Sequence, residues 1–255
     1  MRTVRRTLGA LAVVVPLWAV PAPASAQAPR AEPTETRVIG ESVQGRSIAA
    51  HRYGPVDGVP VLAVGSIHGN EKSGIPLVRR IAAGAVPDGF TLWVIESVNP
   101  DGNARNRRQN ANDVDLNRNF DSHWAALPCG ARAKYCSGAR AASEPETQAL
   151  SAFVSEIRPR LAVFWHSTNN VVDVPLTGIG RMATVRAYAR TAGLPARTVP
   201  CGATTKCTGN ATQFVNSTVK GASAFVVELP CDSPCLGPKR LAAHVKAFWA
   251  AARAA

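Results

Sequence analysis

The chain has 255 residues, 46% hydrophobic and 18% charged, with a formal net charge of +12. That length and apolar share support one sizeable core in one or two domains, and the lack of an internal repeat or low-complexity tract excludes a repeat array. The positive balance is compatible with nucleic acid, with an anionic cell-wall polymer or acidic peptide, or with plain solubility; its basic residues are scattered except at "ARNRRQN", so it selects no partner by itself.

The first 26 residues read as a secretory signal peptide. Arg2, Arg5 and Arg6 form a basic start, and "LGALAVVVPLWAV" is too short and too Pro-flanked for a membrane span. Ala24 and Ala26 give an A-x-A cleavage pattern, with the cut expected after Ala26. An uncleaved anchor is the alternative. Arg5-Arg6 lacks the surroundings of a twin-arginine signal. Without Arg2, Arg5 and Arg6, three charges fewer, the remainder carries +9. Residues 27–36 are Pro-rich and polar and read as a flexible leader, which places the folded domain at 37–255.

"TRVIGESVQGRSIAAHRYG" predicts two strands around Gln44-Gly45, a hairpin. "VPVLAVGSI" is a buried strand, "GIPLVRRIAAGA" a short helix, and "FTLWVIESV" another strand. Asn99-Pro100-Asp101-Gly102 is a turn signal. Residues 103–142 are polar and irregular. A helix then starts in "SEPETQALSAFVSEI", with Ser143 and Glu146 spaced as a capping box. "RLAVFWHS" is a strand, "RMATVRAYARTAG" a helix stopped by Gly193, "ASAFVVELP" a strand and "PKRLAAHVKAFWAAARAA" an amphipathic helix. Strands between helices predict an α/β fold: a three-layer sandwich with a mixed, mainly parallel central sheet and helices on both faces.

The six cysteines fall into three close pairs: Cys129 with Cys136, Cys201 with Cys207, and Cys231 with Cys235. Short loops favour pairing between neighbours among the 15 arrangements that six cysteines allow. A zinc cluster is the rival reading, but the spacings repeat no finger or ribbon pattern.

In open α/β sheets, sites collect beyond the carboxyl ends of strands. Three apolar strands here deliver ionisable residues to their ends: His68 with Glu71, His166, and Glu228. Two imidazoles and a carboxylate suit zinc and leave one position open. Glu228 is then the candidate general base. HxxE alone carries little weight, and a lone His at a strand end is more often simply hydrogen-bonded. The joint pattern is what matters.

In this order, "HGNE", "VNPDG", "RQNANDVDLNRNF", "FWHS" and "FVVELP" resemble the zinc carboxypeptidase family (funnelins), in particular the small bacterial branch that includes murein peptide amidases. The resemblance runs from about residue 37 onward. It implies one zinc per chain on His68, Glu71 and His166, with Glu228 as general base. It further implies Arg108 as the arginine that stabilises the oxyanion, and Asn117 with Arg118 as the clamp on the substrate's terminal carboxylate. Asp115 becomes the carboxylate that orients a zinc-binding imidazole, and Gln213 falls near the position that sets side-chain preference. For any one of these alone, a solvated charge in a polar loop is the simpler reading. The family's mobile tyrosine upstream of the base has no counterpart in "CTGNATQFVNSTVKGASAF". The short stretch between Ala26 and the first strand leaves no room for a long activation domain.

These readings converge on a secreted zinc metallocarboxypeptidase. Its expected partner is a peptide with a free C-terminal carboxylate, favoured to be a cell-wall stem peptide of the D-Glu/diaminopimelate type. Nucleic acid is not expected, nor a membrane once the signal is removed, and the expected state is a monomer in the secreted, periplasmic or cell-wall space. The alternatives are a general carboxypeptidase of protein-derived peptides, a deacylase of N-acyl amino acids, and a non-catalytic wall- or peptide-binding module.

Overall fold

A computed structural model describes residues 32–130, 133–174, 182–199 and 208–255. The expected signal peptide and the Cys201–Cys207 pair lie outside these residues. The chain opens with a hairpin, β1 (Glu35–Glu41) and β2 (Ser47–Tyr53), turned at Gly45, whose φ is +72°. Then come β3 (Val59–Val64), α1 (Gly74–Ala82), β4 (Phe90–Ile95), α2 (Pro100–Arg105) and a 3-10 turn at Leu116–Arg118. α3 (Pro145–Ile157), β5 (Leu161–Ser167), β6 (Val171–Asp173), α4 (Met182–Ala192), β7 (Ala196–Arg197), α5 (Ala211–Thr218), β8 (Ser223–Leu229) and α6 (Pro238–Arg253) follow.

The strands form a single sheet in the order β1-β2-β4-β3-β5-β8-β6-β7. The run β4-β3-β5-β8 is parallel, while β1-β2, β2-β4 and β6-β8 are antiparallel and β6-β7 is parallel. The central strands are apolar on both faces, as a covered parallel sheet requires. Val61 and Ala63 of β3 pack into one layer with Leu77 and Ile81 of α1, Tyr188 of α4 and Phe248 of α6. Leu62 and Val64, one residue out of phase, pack into the other with Leu150 and Phe153 of α3 and Phe214 and Val215 of α5. The period of two along a strand thus builds two cores from one sequence run. This is the expected three-layer sandwich.

Some local expectations change. Asn99-Pro100-Asp101-Gly102 is the first turn of α2: Asn99 accepts from the Gly102 N–H, and Pro100 needs no donor there. The capping box at Ser143 does not form. Glu144 occupies the N-cap, and Glu146 accepts from Val43 N–H and Asn110 instead. β6, β7 and α5 have no counterpart in the sequence reading. Two disulfides join the pairs expected, Cys129–Cys136 and Cys231–Cys235. Among the described residues no helix is long and apolar enough to cross a membrane.

Candidate metal centre

β3 ends at Val64, and the chain turns so that the Glu71 N–H donates to the His68 carbonyl at 3.0 Å. That turn explains the HxxE spacing, since it folds residues three apart onto each other. It is pinned against α2. A Cβ on Gly69 would lie 2.0 Å from the Gly102 carbonyl carbon, so only glycine permits this approach. Asn103 donates to the Gly69 carbonyl (2.9 Å), and the Gly69 N–H and the Asn99 side chain both donate to the Arg108 carbonyl at 3.2 Å. The "HGNE" and "VNPDG" segments are therefore two sides of one contact. From beyond β8, the Asp232 carbonyl inside the Cys231–Cys235 loop accepts from the N–H groups of Lys72 and Ser73. β5 brings His166 alongside, and β8 pairs Glu228 directly with it.

His68 Nδ1, Glu71 Oε2 and His166 Nδ1 form a triangle with sides of 2.9–3.0 Å. All three residues are at most 5% exposed. They are the one such group of potential metal ligands among the described residues. His68 Nε2 faces Asp115 Oδ1 at 2.9 Å, which assigns the proton to Nε2 and leaves Nδ1 as a bare lone pair. With His68 Nδ1 bare, these contacts are satisfied either by a proton on His166 Nδ1 or by a cation bound among the three atoms. Two imidazole nitrogens and one carboxylate oxygen are a zinc donor set with an open position. The residues present fit that metal.

Around the triangle lies a second ring of charge. Asp115 accepts from Arg108 Nε (3.0 Å) and Nη2 (2.9 Å), and from the Asn117 N–H at 3.0 Å. Arg108 also reaches Glu71 Oε1 through Nη1, at 3.0 Å. Burial pushes the Asp115 carboxyl up, but Arg108 and His68 overcome this and hold it well below the usual range. Glu71 behaves alike: burial raises it, and its two imidazole neighbours bring it well below the ordinary value. Glu228 is the reverse case. Burial raises its carboxyl, with His166 pulling the other way.

Four buried polar atoms here have no hydrogen-bond partner among the described residues: His166 Nε2, Glu228 Oε2, Arg118 Nε and Asn70 Oδ1. Buried polar atoms are ordinarily satisfied, so such a cluster marks a place prepared for something other than protein. Arg118 is 5% exposed and makes no ion pair at salt-bridge distance among the described residues; its Nη1 donates to the Asn117 carbonyl at 2.7 Å. Burial lowers its pKa, against the pull of Asp115. Asn117 Oδ1 is taken by the N–H of Ala211, the first residue of α5, at 2.9 Å. That bond ties the Asn117–Arg118 turn to the helix carrying Gln213, whose N–H donates to Asn210 Oδ1. Gly209 allows the close approach, because a Cβ there would lie 2.3 Å from the Arg118 carbonyl oxygen. A cleft of about 410 Å³ opens beside the triangle, with Asn70, Glu71, Arg108, Lys134, Ser167 and Asp232 among its walls.

His68, Glu71, His166 and Glu228 thus lie at or just beyond strand ends, Arg108, Asp115, Asn117 and Arg118 on the long connection between α2 and α3, and Gln213 on α5. Sequence reasoning missed Tyr135, whose ring lies 5.3 Å from Arg108 Cζ and 5.2 Å from Arg118 Cζ. Its neighbour Cys136 was the one signal there.

A buried His-Glu-His triangle with a carboxylate beside it lies at the carboxyl edge of the parallel strands, a place and a donor set suited to a metal ion. The chain belongs to the zinc carboxypeptidase family, whose profile matches residues 25–233. It is 29% identical over 161 residues to murein peptide amidase A of Escherichia coli K12, covering 58% of this chain and 66% of that one. The matched segment is thus just under two thirds of that relative's length. Among solved structures it resembles carboxypeptidase A of Helicoverpa armigera (TM-score 0.71, 18% identity, 86% of this chain and 68% of that one). It also resembles the murein-tripeptide amidase of Escherichia coli O157 (TM-score 0.63, 24% identity, 88% and 92%). At these identities the structures speak for the fold.

Proposed function

We propose that this protein is an exported zinc metallocarboxypeptidase that hydrolyses the C-terminal amide bond of a peptide, with a peptidoglycan stem peptide as its substrate. The observation that carries the reading is Arg118: a buried guanidinium, with no ion pair among the described residues, next to the His-Glu-His triangle. A buried cation without a counter-ion is costly, and a substrate carboxylate would supply one through paired N–H donors. Asn117, its Oδ1 already engaged, has its amide N–H₂ left to assist.

Zinc, when bound, polarises a carbonyl and makes water acidic enough to attack near neutral pH. The chain's own groups do the rest. Glu228 takes a proton from the attacking water as its oxygen bonds to the carbonyl carbon. Arg108, held by Asp115 and Glu71, faces the negative charge that grows on the carbonyl oxygen. Glu228 then passes its proton to the amine as the C–N bond breaks. The likeness to murein peptide amidase A and the net charge of +9 beyond the expected signal support a wall peptide as the substrate. Two disulfides support an oxidising compartment.

The test is mass spectrometry of products from muropeptides and from ordinary peptides, each with free and amidated C-termini. Release of one C-terminal residue from free-acid muropeptides is expected, with amides poor substrates. Arg118→Ala should weaken binding of free-acid substrates by about 2–5 kcal/mol. Equal cleavage of acids and amides would overturn the clamp. Preference for ordinary peptides would leave a general carboxypeptidase.

A further inference from the structure

We infer that Tyr135 is the positioning residue for Arg118: its ring, delivered by the disulfide-closed loop, holds the guanidinium where a carboxylate would meet it. This rests on the reading of Arg118 as the carboxylate clamp.

The two site arginines are held in different ways. Arg108 has three charged contacts, two to Asp115 and one to Glu71, all at 2.9–3.0 Å. Arg118 has none of this kind among the described residues. Its Nη1 bonds a carbonyl of the adjacent residue, and its Nε has no partner among the described residues. What Arg118 does have is an aromatic face. Its Cζ lies 5.2 Å from the Tyr135 ring centroid. Arg108 Cζ lies 5.3 Å from the same ring, and Lys134 Nζ 5.2 Å. An aromatic face is electron-rich and attracts cations, most strongly where water is excluded. A ring that touches two guanidinia also gives each of these like charges an attractive neighbour.

The ring is itself fixed by the segments that carry the arginines. The Cys136 carbonyl accepts from the Asp115 N–H at 2.8 Å. Gln109, next to Arg108, donates to the Ala133 and Lys134 carbonyls at 3.1 Å each. Ser137 Oγ accepts from the Leu127 N–H at 2.8 Å, and Cys129–Cys136 closes the loop. Backbone bonds on both sides of Tyr135 therefore set its position relative to Arg108 and Arg118 together.

The asymmetry yields a sharp expectation. Arg108 keeps its carboxylates without the ring, while Arg118 loses the aromatic face beside its guanidinium. Removing the ring should act on substrate binding and spare the chemical step. The experiment compares wild type, Tyr135→Leu, Tyr135→Phe and Arg118→Ala with a free-acid peptide and its amide, measuring kcat and KM, zinc content and melting temperature. Tyr135→Leu is expected to raise KM for the free acid roughly tenfold, as loss of a partly desolvated cation–aromatic contact implies. Its kcat should stay within about twofold, the pattern of lost binding without lost transition-state stabilisation. Tyr135→Phe should restore KM, since it keeps the ring. An unchanged KM in Tyr135→Leu, or a fall confined to kcat, overturns the inference. So does a Tyr135→Phe protein as impaired as Tyr135→Leu, which would assign the effect to the hydroxyl. If Tyr135→Leu does not fold, Tyr135→Met carries the same expectation. An Arg118→Ala protein with unchanged KM for the free acid would remove the clamp itself, and this inference with it.

Discussion

Two regions furnish this site, and they work by different physics. The ends of β5 and β8 place His166 and Glu228 through sheet register, and the tight turn that follows β3 places His68 and Glu71. His166 and Glu228 are Cα partners across β5 and β8, so their relation follows from backbone pairing. The described residues of the polar segment 106–144 have little regular structure. The segment places Arg108, Asp115 and Arg118 through side-chain bonds, the Cys129–Cys136 link and a few carbonyls. A sheet is stiff because every residue has two neighbours in the ladder; a loop is stiff only where each polar group finds a partner. The residues proposed to hold the metal and move protons sit on the first region. Those proposed to recognise the substrate sit on the second, which is anchored to the core through Leu116 and Phe120.

The largest effect expected is in the strand-end region. His166→Ala should remove the zinc, and with it turnover, because two donors remain of a set of three. Metal analysis of the purified variant checks this, and zinc kept at one per chain would strike His166 from the donor set. Glu228→Gln comes next. It should keep zinc and peptide binding while losing at least 10²–10⁴-fold in kcat, the usual worth of general acid–base help. A variant that loses its metal would make Glu228 a ligand. Near-normal turnover would send the search for a base elsewhere.

Asp115 joins the two regions, and its loss should be smaller. It orients the His68 ring and neutralises Arg108. Asp115→Ala should weaken zinc binding by about 10–100-fold, as removal of an imidazole's hydrogen-bond partner commonly does. Competition with a chelator of known affinity measures it. An unchanged affinity would mean that the strand-end region holds the metal without support from the loop.

The same contrast explains what was legible in the sequence. β3, β5 and β8 are apolar runs that stop at ionisable residues, and a periodicity of two with an abrupt end is a strong local signal. β6 and β7 have three and two residues, too few to show any period. α5 is rich in Thr, Asn, Ser and Val, poor helix formers, so its composition hid it. Its signal was Asn210, which caps Gln213. Ser143 with Glu146 gave the opposite error: a capping pattern whose Glu is drawn away to Val43 and Asn110 by tertiary contacts. Arg108, Asp115, Asn117 and Arg118 stood out only through the family's ordered motifs. Tyr135 belongs to no motif and no period; its role depends on a ring meeting two arginines distant in sequence.

The smallest effect expected lies away from both regions, behind β5, and concerns stability. His244 of α6 is 3% exposed, and its Nδ1 lies 2.8 Å from the Tyr188 hydroxyl. Trp165 Nε1 donates to that hydroxyl at 3.0 Å. The chain is satisfied only with neutral His244: the indole donates to the phenol oxygen, and the phenol donates to the imidazole lone pair. Burial, with a smaller push from Arg240, lowers the His244 pKa to about 4. The unfolded chain binds this proton near pH 6.5, so acid favours unfolding. Stability from this group is whole above about pH 6.5 and falls as the pH drops toward 4, by on the order of 1–3 kcal/mol. Asp173 runs the other way. Burial raises its pKa to about 6, so the fold gains as it protonates over nearly the same range. Wild type alone therefore does not isolate His244. The measurement is the difference between wild type and His244→Gln, in denaturant melts at pH 7, 5.5 and 4.5, where Asp173 cancels. Gln keeps an acceptor for Tyr188 and cannot take the proton. The gap between the two proteins should shift toward the variant as the pH falls. A gap constant across that range would show that His244 titrates alike in the folded and unfolded chain.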